Sequence, residues 1–470
     1  MKRAPTFRAA RSLGLALVLV CVAPPLVAQS VTPRESLPGP GATWSLAAAG
    51  DAIINRRIAV HQNEDDPRFQ AMADVIRGAD AAMVNLEQSV FRMTEFKGWP
   101  EVENGGNWEV GPPEVVLDLQ AIGFDLFNRA NNHTTDYGVA GMRATNEFLD
   151  RVGAVHAGSG NSLGQASRPG YLETRKGRIA LIGLSASFTP MSRAGDGRAG
   201  VPARPGLNAL RVERSYEVDG PTMQSFRQFA GQVGVTLPSN PDEPLKLLGS
   251  EFVPGPAVRA VDAMNEHDVE RILREVRNAA DQADFVVVTI HAHQTKGDDY
   301  RMPAWLTEIA RKCIDAGAST FVGHGPHTLR GIEIYKGRPI FYSLGNFVFH
   351  NETIDPMPSE HYEKYGLPPT ALASDLYDAR FKHGTSGFPV RPEVYESVIA
   401  VPVFEGHEAS EIRLYPIDLA RTAPRSQRGT PRLAGTEQGR QIIDRMIKMS
   451  EALGTKIRYE NGIGVWRAAP

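Results

Sequence analysis

The chain has 470 residues, of which 42% are hydrophobic and 22% are charged, and its formal net charge is −3 at pH 7. This composition is typical of a globular protein and excludes a disordered or fibrous chain. The nearly neutral charge argues against broad binding to nucleic acid or to an acidic membrane surface. The chain has 2 cysteines, so a disulfide framework is excluded as its main source of stability.

The N-terminus predicts an export signal. Its first residues carry basic side chains and no acidic one: Lys2, Arg3, Arg8 and Arg11. An apolar run follows over residues 13–23, and the small residue Ala28 ends the segment, which is the pattern of a cleavable signal peptide. We expect a signal peptide over 1–28, a tether over 29–42 and an exported protein, periplasmic or secreted after cleavage near Ala28. The alternative is an uncleaved signal, which would be the one attachment to a membrane.

Short apolar runs that end in polar residues predict strands buried on both faces. In chain order these runs cover residues 43–49, 79–86, 124–130, 285–290 and 320–322. Segments with a helical apolar period lie between them, over residues 67–78, 112–122, 138–152, 267–283 and 303–316. The alternation predicts an α/β fold, in which the functional site lies at the carboxyl ends of the strands.

The later part of the chain predicts mixed sheets. Meandering strands are expected over residues 332–335, 339–344, 398–404 and 412–417, and a closing helix over 435–453. Two stretches rich in Gly or Pro, 190–256 and 350–392, predict long loop insertions. The domain is therefore expected to cover 43–420, with a C-terminal helix and tail over 421–470.

Metal-ligating side chains collect where the predicted strands end. They are Asp51, Glu87, Asn132, His133, His291, His293, His324 and His327. Parallel strands bring such ends to one edge, and this mixture of ligands suits a borderline divalent ion such as Zn, Mn or Fe. A carboxylate that bridges two metals about 3.5–4 Å apart is typical of two-metal hydrolases. The sequence therefore predicts a site for one or two divalent metal ions.

Each of these residues also has a structural alternative. Asp51 follows a glycine and suits a turn, Glu87 suits a helix cap or the surface, and residues 131–133 suit a turn whose side chains bond the backbone. A lone His291 is more often a histidine of the core. His324 and His327 are the stronger pair, because the proline between them fixes a loop that presents both rings. The ordered set is more specific than any member.

Several segments together resemble the CapA family of capsule-synthesis proteins. The first are Gly50-Asp51 with Arg56, Asn85-Leu86-Glu87 and the stretch 131–138, Asn-Asn-His-Thr-Thr-Asp-Tyr-Gly. The later ones are Gly-His-Gly-Pro-His at 323–327, Gly-Ile-Glu at 331–333 and Phe-Tyr-Ser-Leu-Gly-Asn-Phe at 341–347. The family is linked to poly-gamma-glutamate and belongs to the calcineurin-like metallophosphatase superfamily. The resemblance implies an α/β fold of four layers, α/β/β/α, with mixed sheets and the two loop insertions.

The resemblance also implies roles for individual residues. It implies a set of metal ligands: Asp51, Glu87 as the bridge, Asn132, His291, His324 and His327. His133 would be the general acid, Asp136 would orient it, and Arg56 would stabilise negative charge on the substrate. Three positions differ from the family pattern. Ile53 stands where metallophosphatases place a histidine, Gly325 replaces the second residue of a double histidine, and His291-Ala292-His293 replaces His-Trp-Gly and makes His293 an additional candidate ligand.

A basic segment predicts contact with an anionic substrate. Its arginines include Arg193, Arg198 and Arg204, which we predict to bind substrate together with Asn131; the alternative is a solvated surface loop. The expected function is that of an exported metal-dependent hydrolase or phosphoesterase-like enzyme. It would act on poly-gamma-glutamate or a phosphorylated envelope polymer beside other capsule-synthesis proteins. Two alternatives are a non-catalytic assembly or polymer-binding component with an incomplete metal site, and a periplasmic phosphatase or nucleotidase.

Overall fold

A computed structural model describes residues 43–62, 66–295 and 301–469 of the protein. The predicted signal peptide over 1–28 and the tether over 29–42 lie outside the described residues. The strands are β1 (Thr43–Ile53), β2 (Ala81–Leu86), β3 (Ser89–Val90), β4 (Val110–Gly111), β5 (Leu126–Asn128), β6 (Val155–Ala157), β7 (Ser159–Gly160), β8 (Gly170–Thr174), β9 (Gly177–Ser185), β10 (Gly206–Leu207), β11 (Val212–Val218), β12 (Leu245–Leu247), β13 (Ser250–Pro254), β14 (Arg259–Met264), β15 (Phe285–His291), β16 (Thr320–His324), β17 (Ile332–Tyr335), β18 (Arg338–Phe341), β19 (Asn346–Phe349), β20 (Glu396–Glu405), β21 (Glu408–Asp418), β22 (Arg432–Leu433), β23 (Arg458–Glu460) and β24 (Ile463–Arg467).

The described helices include one in each of the six segments predicted to be helical. They are α1 (Pro67–Arg77), α2 (Glu114–Ala121), α3 (Gly138–Arg151), α4 (Leu163–Ser167), α5 (Gly220–Gln232), α6 (Glu266–Ala280), α7 (Ala304–Asp315), α8 (Ser359–Lys364), α9 (Ala373–Phe381) and α10 (Thr436–Glu451). Short 3-10 helices cover Ala59–Gln62, Asn132–Thr135, Pro190–Ser192, Phe388–Val390 and Pro392–Tyr395. Helix α1 illustrates the local causes. Asp66 caps it by accepting a hydrogen bond from the backbone N–H of Arg68, and Pro67 occupies its first turn.

Two large sheets carry the architecture. Among the described residues, the first sheet has ten strands in the order β23-β24-β21-β20-β1-β2-β5-β6, with β19 beside β1 and β22 beside β21. The second has six strands in the order β17-β18-β16-β15-β9-β8. Strands β1, β2, β5 and β6 are parallel, as are β9, β15, β16 and β18, whereas β20 and β21 run antiparallel. The mixed sheets agree with the prediction.

Alternating side chains of the central strands divide the core into layers. Leu46 of β1 belongs to the cluster between the two sheets, together with Val287 of β15. The next residue of β1, Ala47, lies in the cluster under α1, α2 and α3. In β15 the neighbouring Val288 packs instead with α6 and α7. Because successive strand residues face opposite sides, each sheet is covered by helices outside and by the other sheet inside. The predicted α/β/β/α sandwich is confirmed.

The segments predicted as loops contain regular structure. Residues 190–256 hold helix α5 and strands β10 to β13, and a small sheet has the order β12-β13-β11-β14. Residues 350–392 hold the short helices α8 and α9. The segment 421–470, predicted as a helix and tail, also supplies β24, which pairs with β21 and so extends the first sheet. Among the described residues, no helix has both the length and the apolar character that crossing a bilayer requires.

Strand registers place the polar strand ends side by side. Asp51 of β1 pairs with Asn85 of β2, which in turn pairs with Asn128 of β5. In the second sheet, His291 of β15 pairs with His324 of β16. Since these strands are parallel within each sheet, their carboxyl ends lie at one edge. The residues predicted to bind metal are therefore presented by both sheets.

Candidate metal centre

Asp51 is held at the end of β1 by a close approach of two backbone segments. A Cβ atom on Gly50 would lie 1.9 Å from the carbonyl oxygen of Gly345, so only glycine fits there. The backbone N–H of Asp51 donates to the same oxygen at 3.0 Å. Asp51 is fully buried, and its position is therefore set by the chain that leads into β19.

The histidines of the second sheet lie close to one another. His291 Nδ1 and His324 Nδ1 are 3.0 Å apart. His291 Nε2 and His293 Nε2 are 2.8 Å apart, which brings the additional candidate ligand beside the predicted one. His293 thus joins the cluster, and His291 lies between its two neighbours.

Carboxylates of the first sheet face these rings. Asp51 Oδ1 lies 3.3 Å from His324 Nδ1 and 3.7 Å from His291 Nδ1. Asp51 Oδ2 lies 3.6 Å from His327 Nδ1, and Glu87 Oε1 lies 3.4 Å from His291 Nε2. Groups whose ligand atoms all lie within 4.8 Å of one another are Asp51 with His291 and His324, Glu87 with His291 and His293, and Asp51 with Glu87 and His327.

The Glu87 carboxylate tests whether this cluster suits a cation. Both of its oxygens are buried and neither has a hydrogen-bond partner. Burial first, and the charge of Asp51 second, raise the pKa of Glu87 well above its usual value. A buried carboxylate that accepts no hydrogen bond costs several kcal/mol, and a bound cation offsets that cost. The donors and the orphaned carboxylate therefore fit a divalent metal ion.

The protonation of the histidines also fits metal binding. Burial lowers the pKa of His291 to about 4 and lowers that of His293 well below its usual value. Burial alone would raise the pKa of Asp51, but hydrogen bonds and charge interactions with His291 and His324 hold it well below its usual value. At neutral pH these groups thus offer neutral imidazole nitrogens and a carboxylate, the forms that bind metal.

Neighbouring polar side chains orient the ligands. Asn85 Nδ2 donates to Asp51 Oδ1 at 2.8 Å, and Thr289 Oγ1 lies 2.8 Å from His324 Nε2, which leaves His324 Nδ1 facing Asp51. Asn346 Oδ1 lies 2.9 Å from His327 Nδ1. Such contacts fix the ring orientation and tautomer of a metal-binding histidine. Thr289 is not among the predicted site residues, although a polar residue within a run of valine and isoleucine is a usable signal.

A profile of the family described as Bacterial capsule synthesis protein PGA_cap matches residues 45–351, which contain every ligand named above. The chain belongs to the PGA_cap family. The predicted membership of the capsule-synthesis family is thereby confirmed.

Relatives of this PGA_cap protein include chains of similar length. The chain is 42% identical to the uncharacterized protein y4sH of Sinorhizobium fredii, over 90% of this chain and 93% of that protein. It is 28% identical to the PGA biosynthesis protein CapA of Bacillus subtilis, over 65% of this chain and 63% of the relative. It is 25% identical to the Capsule biosynthesis protein CapA of Bacillus anthracis, over 71% of this chain and 68% of the relative.

Two departures from the family pattern have a physical reason. Gly325 has φ +116°, and a Cβ there would lie 2.8 Å from the backbone nitrogen of Ala292, so a histidine cannot replace it without backbone movement. Its own N–H instead donates to Asp51 Oδ2 at 3.0 Å. Ile53 is buried in the apolar cluster under the helices of the first sheet. At position 53 the chain therefore has an apolar side chain that packs in the core, where the family pattern has a metal ligand.

The turn Asn132–Thr135 presents the predicted general acid. His133 Nδ1 lies 2.7 Å from Asp136 Oδ2, as the resemblance implies. Burial lowers the pKa of His133, and the charges of Glu109 and, more weakly, Asp51 act in the opposite direction. Asn132 Oδ1 is buried and has no hydrogen-bond partner, so it is a free acceptor for a cation.

Asn131 and Arg56 are engaged by the protein itself. Asn131 Nδ2 donates to Asn85 Oδ1 at 3.1 Å and to the carbonyl of Leu86 at 2.8 Å, which ties the turn to β2. Arg56 donates to Thr353 Oγ1 and to the carbonyl of Arg428, each at 2.6 Å. Burial lowers the pKa of Arg56 to about 10. Their predicted contacts with substrate stay predictions.

The arginines of the basic segment divide into two groups. Arg211 pairs with Asp268 and Arg214 with Asp262, each at 2.7 Å, so their charges are compensated. Within the described part of the chain, no ion pair is formed by the other three: Arg193, Arg198 and Arg204. They lie on a small hairpin whose preceding residue Ser192 accepts a hydrogen bond from Thr135 Oγ1 at 2.6 Å. The hairpin therefore begins beside the His133 turn.

Two charged residues that the sequence did not single out support the site. Arg129 is fully buried and donates to the carbonyls of Leu86 at 2.8 Å and Gln88 at 2.5 Å, which brackets Glu87. The backbone N–H of Glu109 donates to Asp136 Oδ2 at 2.6 Å. Arg129 interrupts an apolar run and could have been noticed. The position of Glu109 depends on a loop that folds back over the His133 turn.

Proposed function

We propose that this PGA_cap protein is an exported, metal-dependent hydrolase of the phosphoesterase type that acts on an anionic polymer of the cell envelope. The observation that carries the proposal is the orphaned, buried carboxylate of Glu87 among the histidines of the second sheet. The relatives from Bacillus, whose names refer to PGA or capsule biosynthesis, support poly-gamma-glutamate or a phosphorylated polymer as the substrate. The proposed export rests on the predicted signal peptide.

One set of side chains would hold the metal. One or two divalent ions of the Zn, Mn or Fe type would be held by Asp51, Glu87, Asn132, His291, His293, His324 and His327. A divalent ion in such a site acts as a Lewis acid on a phosphoryl or carbonyl oxygen. The same set of side chains would fix the orientation of the substrate.

His133 would move the proton. Its Nδ1 lies 2.7 Å from Asp136 Oδ2 and would donate to it, which would leave Nε2 to exchange a proton with the substrate. Because burial lowers the pKa of His133, its Nε2 is unprotonated at neutral pH in the free protein. It therefore takes up a proton before it protonates the leaving group. Asp136 stabilises the imidazolium that forms in between.

One observation favours the second candidate, a non-catalytic assembly or polymer-binding component. Both oxygens of Asp51 already accept hydrogen bonds, one from Asn85 and the other from the N–H of Gly325. A site in which the first carboxylate is satisfied by the protein could keep the fold and bind polymer without turnover. Loss of His133 would then leave the function intact.

Metal content and activity test the proposal. We expect the purified wild type to retain about one or two divalent ions per chain and to hydrolyse poly-gamma-glutamate or an aryl phosphate. His324→Ala removes a ligand held between Asp51 and His291, so it should lose most of the metal and at least about 100-fold in rate. Elemental analysis and initial rates measure both quantities. The exposed histidine of α6 supplies the control His267→Ala, which should behave as wild type.

The contrary results are distinct. A wild type without bound metal, together with unchanged activity in His324→Ala, would refute the metal-dependent enzyme. Polymer binding that persists in His133→Ala, with no turnover by either protein, would instead establish the non-catalytic component.

A further inference from the structure

A second group of polar side chains lies beside the His133 turn and outside the metal centre. On one side of this group is the loop 101–109, which is hydrogen-bonded to the His133 turn. The backbone N–H of Glu101 donates to the carbonyl of Asp136 at 2.7 Å, and Asn104 Nδ2 donates to the carbonyl of Asn132 at 2.7 Å. On the other side are helices α8 and α9, from the segment 350–392 that the sequence predicted as a long loop insertion.

The tip of the loop joins the two sides. Gly105 and Gly106 have φ +57° and +78°, which favours glycine, and neither carries a side chain. A Cβ on Gly105 would lie 3.7 Å from His133 Nε2. A Cβ on Gly106 would lie 3.9 Å from each of three atoms, Arg380 Nη2, Lys364 Nζ and the carboxylate oxygen Oε1 of Glu103. Gly105 therefore lies near the predicted catalytic ring, and Gly106 lies near two cations and one carboxylate.

The two cations differ in how they are used. Lys364 Nζ donates to Glu103 Oε1 at 2.8 Å, so its charge is compensated. Arg380 forms no ion pair with the described residues, and its Nη1 is buried without a hydrogen-bond partner. A guanidinium has a planar fork of donors that suits a carboxylate or a phosphate. Arg380 is thus a positive charge with unused donors beside His133.

Further unused polar atoms line the same region. Trp108 Nε1 and both ring nitrogens of His361 are buried and have no hydrogen-bond partner. The rings of Trp108 and His361 meet edge to face, with centroids 5.7 Å apart. Burial first, and the charge of Arg380 second, lower the pKa of His361 to about 4, so it is a neutral ring that can donate from one nitrogen. Buried donors without partners are rare in folded proteins and need an explanation.

We propose that Arg380, with Trp108 and His361 beside it, forms an anion-binding subsite next to His133 that takes a carboxylate or phosphate group of the polymer. The placement relative to the reacting group rests on the proposed function, whereas anion binding itself does not. This subsite is separate from the hairpin arginines that the sequence analysis predicted. Its charge is partly buried, which makes it less sensitive to screening by salt than an exposed arginine.

Titration calorimetry on the full chain tests the subsite with two probes, inorganic phosphate and tri-gamma-glutamate. The protein is treated with a chelator, so that phosphate cannot bind through metal. We expect Arg380→Gln to weaken binding of at least one probe tenfold or more. Lys382→Gln removes a nearby exposed charge and should change affinity by less than twofold. Arg380→Lys keeps the charge without the fork and should give an intermediate affinity.

The two probes distinguish a phosphate subsite from a carboxylate subsite. Loss of phosphate binding alone identifies a phosphate subsite, and loss of tri-gamma-glutamate binding alone identifies a carboxylate subsite. Affinities of Arg380→Gln within twofold of wild type for both probes, or a wild type that binds neither, overturn the proposal. Thermal unfolding of each variant confirms that the comparison is between folded proteins. Because this experiment uses metal-free protein, its result does not depend on the metal content and activity that test the proposed hydrolase.

Discussion

Glu109 carries a carboxylate where the fold disfavours charge. Its Oε1 accepts a hydrogen bond from Asn107 Nδ2 at 2.7 Å, but its Oε2 is buried without a partner. Burial raises the pKa of Glu109 from 4.5 to about 7. Ionisation of Glu109 therefore costs free energy in the folded protein but not in the unfolded chain.

A pH dependence of stability follows from Glu109. Its raised pKa favours folding below about pH 4.5, and this contribution is lost as the pH rises through about 7. We expect Glu109→Gln to gain about 2–3 kcal/mol in unfolding free energy relative to wild type between pH 5 and pH 8. Denaturant titrations at both pH values measure this.

Glu243 provides the control, because it is exposed and its substitution by Gln should shift stability equally at the two pH values. If Glu109→Gln shifts the unfolding free energy equally at pH 5 and pH 8, the carboxyl group of Glu109 is not protonated in the folded protein near neutral pH.

The arginine hairpin is an element that we predict to bind the polymer. It is closed by bridges between Gly195 and Arg204 and between Arg198 and Val201, and it begins at the buried Ser192. Since its arginines have no acidic partners among the residues that the structure describes, their field extends into solvent and attracts a polyanion.

Neutralising the hairpin should therefore affect polymer binding more than stability. We expect the triple change of Arg193, Arg198 and Arg204 to Ser to weaken poly-gamma-glutamate binding about fivefold and to reduce its salt dependence. The unfolding free energy should change by less than about 1 kcal/mol, because these side chains are not in the core. Binding isotherms at two salt concentrations measure the effect.

A triple change of other exposed cations to Ser, at Arg175, Lys246 and Lys456, serves as the control. Equal weakening by both triple variants would assign the effect to overall charge rather than to the hairpin.

The elements around the site were predictable, and their polar contacts were not. Strand β15 is a continuous apolar run ending at His291, so both the strand and the ligand follow from the sequence pattern. The strands within 190–256 escaped prediction because their sheet lies largely in solvent; β11, for example, buries only its last two residues. Thr289 was not predicted to be a site residue, because its contact with His324 on the neighbouring strand depends on strand register.

At the scale of the molecule, the candidate ligands connect the two sheets. Asp51 and Glu87 come from the first sheet and the histidines from the second, so a bound cation would link the layers of the sandwich. Binding to the folded state alone raises stability, by about 2.7 kcal/mol when the ligand is at 100 times its Kd.

We therefore expect metal to stabilise the wild type and Glu87→Gln to abolish this response. The variant also removes a buried unpaired carboxylate, so in chelator it should melt at or above the wild-type temperature. Scanning calorimetry with and without added Mn²⁺ measures both effects. His267→Ala is again the control. A variant that melts lower in chelator and still responds to metal would place the cation elsewhere.

The close approach of Gly50 to Gly345 also orders the folding of the chain. Strand β1 is the first described strand, yet it pairs with β19 and β20, which are synthesised late. Contacts between such distant segments form slowly, because the intervening loop must close first. Asp51 reaches its final position only when the backbone of Gly345 has docked against Gly50. We therefore expect the metal centre to assemble late in folding, because a chain that stops before Gly345 lacks the docking that positions Asp51.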